Sequence, residues 1–303
     1  MSPIRESARA RGILLALLSA AGFSTLGLFA KLIFSEGFSV QQALAWRFTV
    51  ASLVLWLIIG VASRTGARRP PVGKKLIPVL LLGLLGFAPQ AGMYFLTVSI
   101  LDPGIAGLLL YLYPSFVILL SLAVFRKRPN RIQGLSLALS LAGCALTFFR
   151  PGSYPIVGLV LGAVMALFYG SYLVVSERLL EGVDPIRATA LIMLVAAASY
   201  WVLTFATGTA KLPGTGASVL GILCVGSIAT VLPITTLFAA MKRIGASDTS
   251  LVSTLEPVLT IALSAIIIGE RLGTAQAIGG CLILAAVVVL RFEPVPVRPA
   301  KLS

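Results

Sequence analysis

Runs of apolar residues long enough to cross a lipid bilayer follow one another along almost the whole chain. About 18 to 20 such residues, wound as a helix, span the roughly 30 Å of hydrocarbon in a membrane. The runs occupy residues 11–33, 40–63, 75–99, 104–125, 131–149, 156–177, 187–207, 215–241, 247–268 and 274–292. The chain is therefore predicted to be an all-α membrane protein with ten transmembrane helices.

Little of the chain remains for a soluble domain. Adjacent runs are separated by a few residues only, apart from the stretch 64–74. Of the 303 residues, 58% are hydrophobic and 11% charged, whereas a soluble domain has about half and about a quarter. The proline-rich end, residues 293–303, is predicted to be a short cytoplasmic tail.

The net charge of +14 follows a membrane topology and does not indicate a nucleic-acid partner. With the N-terminus in the cytoplasm, nineteen of the 24 lysines and arginines fall on the cytoplasmic side and four on the outer side, while Arg47 lies within a span. Cytoplasmic loops of membrane proteins carry such an excess of basic residues. Both termini are therefore predicted to be cytoplasmic.

The two halves of the chain match each other at a shift of 143 residues. At this shift Leu112-Tyr113-Pro114 coincides with Leu255-Glu256-Pro257, so that each proline interrupts an apolar run. The same shift pairs Ile118 with Ile261, Ser121 with Ser264, Arg128 with Arg271 and Gln133 with Gln276. A second match, at a shift of 146 residues, is a small residue at every fourth position: Gly12, Ala16, Ala20 and Ser24 in the first run, and Gly158, Gly162, Ala166 and Gly170 in the sixth.

Five spans in each half make the second copy enter the membrane in the opposite direction. Residues 1–150 and 151–292 are therefore predicted to be inverted repeats. In carriers of this architecture the substrate site lies near the bilayer midplane, and unwound backbone is tolerated around the cavity. We expect all five helices of each half to contribute to a central cavity, with Pro114 and Pro257 as gating helix breaks.

Two ionisable residues lie deep within predicted spans, where a charge is costly and marks a functional site by default. Arg47 lies one or two turns from the outer end of the second span. Its guanidinium either faces the cavity or extends to the outer headgroups. Glu256 lies near the middle of the ninth span; its carboxylate is a candidate to accept a coupling proton, to bind a cationic group of the substrate or to cap the broken helix.

Polar and aromatic side chains at mid-span depth complete the predicted cavity. With Glu256, the candidates are Ser24, Trp46, Gln90, Tyr94, Tyr111, Tyr113 and Tyr169. The alternative for the aromatic residues is the belt at the membrane interface, which suits Trp46 better than the deeper tyrosines. Tyr111 and Tyr113 are two residues apart and are not expected to share a helix face.

Enzyme signatures are missing from the sequence. The chain contains no histidine, which excludes histidine-based zinc sites and catalytic triads, and it has no phosphate-binding loop or nucleophile elbow. We predict no catalytic residue, no metal, no cofactor and no ATPase subunit.

The C-terminal half resembles a known family. The motifs are Leu255-Glu256-Pro257, Gly269-Glu270-Arg271-Leu272, Gln276 and Gly279-Gly280. They are similar to the EamA-type branch of the drug/metabolite transporter superfamily, and within it to aromatic amino-acid exporters of the YddG type. The resemblance implies a carrier of the bacterial inner membrane. The N-terminal half departs from the pattern, since Tyr113-Pro114 replaces Glu-Pro and Arg126-Lys127-Arg128 replaces Gly-Glu-Arg.

The inverted repeats predict a carrier that works by alternating access, and the resemblance implies that it exports small metabolites, most of all aromatic or apolar amino acids. Its expected partners are the substrate and the lipid bilayer, and the oligomeric state is left open. One alternative is a membrane-embedded enzyme acting on lipid, for which Arg47 and Glu256 are the only deep charges. The other is a channel or lipid scramblase of the same fold.

Overall fold

A computed structural model of the chain describes residues 3–64, 72–113, 115–116, 131–148, 154–180, 182–253, 255–269 and 273–290. Every regular element in these ranges is a helix. The α-helices are α1 (Pro3–Ser24), α2 (Leu26–Ser35), α3 (Val40–Arg64), α4 (Leu76–Leu81), α5 (Ala88–Ile100), α6 (Pro103–Leu110), α7 (Arg131–Phe148), α8 (Ile156–Leu179), α9 (Pro185–Ala206), α10 (Gly216–Gly226), α11 (Leu232–Ser253), α12 (Glu256–Ile267) and α13 (Thr274–Leu290).

Six helical stretches among the described residues are long and apolar enough to cross a membrane. They are Ala10–Ser35, Val40–Arg64, Gly73–Ile100, Ile156–Leu173, Pro185–Ala206 and Gly216–Met241. Three shorter apolar helices, Gly134–Gly143, Glu256–Ile267 and Ala277–Ala286, lie within the predicted fifth, ninth and tenth spans. The predicted fourth span continues beyond the described residues.

The boundary predicted between the eighth and ninth spans, at 242–246, is wrong. Helix α11 continues through this stretch and ends at Ser253. Lys242 and Arg243 are good helix formers, and a single Gly245 is not enough to stop a helix. The break comes instead at Leu255, and Pro257 lies in the first turn of α12, where its missing N–H leaves no helical hydrogen bond unmade.

The corresponding break in the first half follows α6. This helix ends at Leu110, and Tyr111 and Leu112 form a turn. Pro114, the predicted break in this half, lies outside the described residues.

Two π-helical segments precede prolines at related places in the two halves. Leu82–Phe87 joins α4 to α5 before Pro89, and Ser227–Val231 joins α10 to α11 before Pro233. Proline cannot donate a backbone hydrogen bond, and π-bulges are frequent at functional sites. The Thr230 hydroxyl donates to the Val225 carbonyl oxygen at 2.7 Å, across the widened turn.

Long-range packing pairs helices from the two halves. Helix α1 packs on α11, α3 on α9, α6 on α12, and α7 on α13, and within this arrangement α5 packs on α8. The small residues of the first and sixth spans lie in such contacts: a Cβ at Gly12 would overlap Ile244, and a Cβ at Gly162 would overlap Leu109. In lipid the hydrophobic effect does not drive helices together, and small residues allow the close approach that gives van der Waals packing between them.

Candidate functional site

A cavity of about 300 Å³ lies between the two halves of the chain. Its lining residues are Phe23, Leu26, Arg47, Phe87, Gln90, Ala91, Tyr94, Gly107, Leu110, Tyr111, Tyr169, Tyr172, Thr189, Ile192, Met193, Ile234, Leu237, Phe238, Glu256 and Thr260. These residues come from α1, α2, α3, α5, α6, α8, α9, α11 and α12, from the first π segment, and from the turn after α6.

Among the described side chains, none from α7 or α13 lines this cavity, although all five helices of each half were expected to contribute. The two pack against each other instead, and the Ser136 hydroxyl of α7 donates to the Ala286 carbonyl oxygen of α13 at 2.8 Å.

Six of the predicted site residues are brought together in the lining. They are Arg47, Gln90, Tyr94, Tyr111, Tyr169 and Glu256. The remaining three, Ser24, Trp46 and Tyr113, are not part of it. The Ser24 hydroxyl donates to the Ala21 carbonyl oxygen of its own helix at 2.7 Å.

Trp46 packs outside the cavity that its neighbour Arg47 lines. Its ring packs edge-on against Trp201, with 5.1 Å between centroids, and its Nε1 donates to the Lys211 carbonyl oxygen at 3.4 Å. Consecutive helical positions point about 100° apart, so one residue can line the cavity while the next packs outside it.

Arg47 is buried and does not extend to the membrane surface. Its Nε donates to the Thr230 hydroxyl oxygen at 3.0 Å, and its Cζ lies 5.0 Å from the Phe48 ring centroid and 5.2 Å from that of Phe95. The close approach of α3 to α10 is possible because residue 226 is glycine: a Cβ there would lie 2.5 Å from Val50 Cβ. The guanidinium is thus held by one hydroxyl and two aromatic rings.

Glu256 begins α12 and faces the cavity half-buried. Its carboxylate accepts a hydrogen bond from the Tyr111 hydroxyl. One turn on, the Thr260 hydroxyl donates to the Glu256 carbonyl oxygen at 3.0 Å. A carboxylate in the first turn also interacts favourably with the helix dipole.

Tyrosines form a continuous wall beside Glu256. Tyr113 lies 5.0 Å from Tyr169 and 6.4 Å from Tyr111, while Tyr169 stacks on Tyr172 at 6.4 Å, measured between ring centroids. Tyr111 and Tyr113 approach each other, contrary to expectation, because α6 ends before them and a turn replaces the helical spacing.

The two charges of the cavity are not paired with each other. Within the described part of the chain, Arg47 interacts electrostatically with Tyr94 and Tyr200, and Glu256 with Tyr111. Tyr94 interacts electrostatically with both charged groups.

At one end of the molecule, polar contacts join the α2–α3 loop and the first turn of α3 to the α9–α10 loop. The Lys211 Nζ donates to the Glu36 carbonyl oxygen at 3.2 Å and lies 5.4 Å from the Phe38 ring centroid. The Glu36 carboxylate accepts from the Thr215 hydroxyl, and the Gln42 amide donates to the Lys211 carbonyl oxygen. We call this set the loop latch.

The cavity extends away from the loop latch. Thr189, one of its lining residues, lies in the second turn of α9, whereas the latch follows the C-terminal end of the same helix. The cavity therefore reaches toward the end of the molecule opposite the latch.

Several residues of the site were absent from the predicted set. Tyr172 lies three positions after Tyr169 and Thr260 lies four after Glu256, so helical spacing alone could have included both. Thr230 carried no such signal, because its partner Arg47 is 183 positions away.

Comparison with known proteins gives a consistent result. The sequence model described as the EamA-like transporter family matches residues 10–149 and again 156–292. The uncharacterized transporter YcbK of Bacillus subtilis is 28% identical over 296 residues, covering 92% of this chain and 91% of its own. The uncharacterized transporter sll1319 of Synechocystis is 24% identical over 326 residues, covering 96% of each.

A solved crystal structure of another protein has the same fold. It superposes with a TM-score of 0.64, covers 92% of this chain and 96% of the other, and is 22% identical in sequence.

Proposed function

Since the chain belongs to the EamA-like transporter family, we propose that it exports small metabolites, above all amino acids with aromatic or apolar side chains. It is a multi-pass membrane protein and a transporter, and the prediction that it is not an enzyme is confirmed by the family and by relatives that are named transporters. The substrate, the direction and the mechanism are the proposal.

The observation that carries the proposal is the chemistry of the cavity. Its wall is mostly aromatic and aliphatic, which suits an apolar side chain, and its polar groups are few and converge from several helices. Gln90, Tyr94 and Tyr111 supply neutral hydrogen-bonding groups, while Arg47 and Glu256 supply one charge of each sign. An amino acid carries a carboxylate for the positive charge, an ammonium group for the negative charge and a side chain for the apolar wall.

We propose further that ten helices form two inverted repeats, residues 1–150 and 151–292. Three features support this. The family model matches each half separately. Spans in equivalent places pack on each other, as a two-fold relation would require: α3 on α9, α6 on α12 and α7 on α13. The π segments precede Pro89 and Pro233, which lie 144 positions apart.

Transport would proceed by alternating access. The loop latch closes one end of the molecule and the cavity extends toward the other. With the N-terminus in the cytoplasm, as the basic residues indicate, the latch lies outside and the cavity opens inward. Pro114 and Pro257, beside the helix breaks, are the proposed gating positions.

The proposed location is the bacterial inner membrane, with both termini and the tail 293–303 in the cytoplasm. The bilayer and a small-molecule substrate are the proposed partners. A channel or scramblase of the same fold is the remaining alternative.

Efflux from proteoliposomes tests the function. Vesicles containing the protein are loaded with each labelled amino acid, and release is compared with protein-free vesicles. We expect saturable efflux of aromatic or apolar amino acids that unlabelled substrate on the opposite side accelerates. A channel or scramblase would give non-saturable flux without counterflow, and no release of any amino acid would overturn the proposal.

A further inference from the structure

We propose that the cavity binds its substrate as a zwitterion, with the carboxylate at Arg47 and the ammonium group at Glu256. This inference rests on the proposed function and assigns its substrate-binding residues. The observation behind it is that two opposite charges line one cavity without pairing to each other.

Arg47 has the geometry of a carboxylate site. A guanidinium has five N–H donors, and the hydrogen bond from Nε to the Thr230 hydroxyl uses only one of them. Thr230 is itself fixed by its bond to the Val225 carbonyl oxygen, and the rings of Phe48 and Phe95 hold the guanidinium from its sides. The terminal nitrogens remain as the fork that binds a carboxylate in a bidentate manner.

Glu256 has the surroundings of an ammonium site. Its carboxylate is held by the Tyr111 hydroxyl and lies within electrostatic range of Tyr94 and Tyr169. Aromatic rings around a carboxylate attract an alkylammonium through their faces as well as through the charge. Thr260, also in the lining, adds a hydroxyl one turn away on α12.

Charge balance selects the zwitterion over singly charged relatives of the same shape. A buried charge without a partner is costly in the membrane. An amine would compensate Glu256 and leave Arg47 alone, and a carboxylic acid would do the reverse. An amino acid compensates both charges at once, while its side chain lies against the aromatic and aliphatic wall.

Binding of three matched ligands to the purified protein tests the inference. The ligands are the amino acid best exported in the efflux screen, its decarboxylated amine and its deaminated acid. Affinities are measured by calorimetry in detergent for the wild type and for Arg47→Gln and Glu256→Gln. The matched controls are Arg243→Gln, an exposed arginine, and Asp102→Asn, whose side chain caps no helix.

We expect the wild type to bind the amino acid at least about tenfold more tightly than either analogue, a difference of about 1.4 kcal/mol. Arg47→Gln should weaken the binding of the amino acid and of the acid but leave the binding of the amine unchanged. Glu256→Gln should weaken the binding of the amino acid and of the amine but leave the binding of the acid unchanged. Neither control variant should change the affinity for any of the three ligands.

Thr230→Val is a second variant in case Arg47→Gln fails to fold. It keeps the charge of Arg47 but removes the hydroxyl oxygen that positions it. Binding of the amino acid and of the acid should therefore weaken, and binding of the amine should not. Equal weakening of all three ligands by each variant, or no preference of the wild type for the zwitterion, would overturn the inference while the proposed function stands. Absence of efflux for every amino acid would overturn the proposed function itself.

Discussion

The Tyr200 hydroxyl donates a 2.7 Å hydrogen bond to the carbonyl oxygen of Ala88, the residue before Pro89. In the other half, the Ser19 hydroxyl donates at 2.8 Å to the carbonyl oxygen of Pro233. In each case a side chain from a packed helix donates to a backbone carbonyl beside a proline that follows a π segment. Helices can be interrupted at membrane depth only where such partners exist.

Tyr200→Phe should lower the free energy of unfolding by about 0.5–1.5 kcal/mol, because it removes this hydrogen bond. Gly92→Ala should cost more, since a Cβ at Gly92 would overlap the Tyr200 hydroxyl. When Tyr200→Phe is also present, Gly92→Ala should change the free energy of unfolding very little. The nearest remaining ring atom, Cζ of residue 200, would lie 3.5 Å from the added Cβ, an ordinary contact. Unfolding in mixed micelles measures the cycle, and strict additivity would contradict the proposed overlap.

Gly162→Ala should destabilise the protein by about 1–3 kcal/mol, because the added methyl group overlaps the fully buried Leu109. Gly60→Ala in α3 is the control: nothing lies within 4 Å of its Cβ position, so replacing glycine in a helix should be neutral or slightly stabilising. The same unfolding assay applies. A similar effect of the two substitutions would mean that the approach of α8 to residue 109 is not the cause.

Lys211→Ala should open the loop latch, because it removes the contacts of Nζ with the Glu36 carbonyl and the Phe38 ring. The expected result is faster labelling of Gln90→Cys by a membrane-impermeant maleimide added outside, in a background without the native cysteines. Lys31→Ala removes a lysine predicted on the same side but outside the latch, and it should leave the labelling rate unchanged. Equal rates in wild type and Lys211→Ala would show that the latch does not control access.

Glu256→Gln should abolish any response of transport to an imposed pH gradient, if the carboxylate carries a proton during the cycle. Substrate flux in proteoliposomes with and without the gradient measures this response, with Asp102→Asn as the control carboxylate. Should the response survive in Glu256→Gln, the proton is carried elsewhere. An unresponsive wild type would mean that the substrate gradient alone drives transport, and that Glu256 serves in binding or in stabilising α12.

The helical character of the chain could be predicted from the sequence, because a membrane span must make its backbone hydrogen bonds within the segment and present apolar side chains to lipid. Exact breaks were harder to predict. The loop expected at 242–246 is helical, since charged residues at a span end do not by themselves stop a helix. Pro257 did indicate a nearby break, because proline lacks the backbone N–H donor of a helix interior and is accommodated in the first turn of a helix.

Much of the candidate cavity was also readable, for an energetic reason. Arg47 and Glu256 stood out because a charge within an apolar run is costly and needs a compensating environment. Trp46 and Ser24 lie outside the lining of this cavity, and residue type and depth do not say which way a side chain points. Thr230 and Phe238 were missed, since a threonine or phenylalanine in an apolar run is ordinary.

The sequence by itself determined the membrane character, the helical class and the residues whose charge requires a purpose. Only the tertiary structure decided which side chains meet: Arg47 with Thr230, Tyr111 with Glu256, and Tyr200 with Ala88. The physical reason is that hydropathy and charge are properties of each residue in turn. Contacts between positions more than a hundred residues apart depend on how each helix is rotated and how closely it approaches its neighbours. Glycines and helix breaks affect both, but their effect can be seen only in the packed structure.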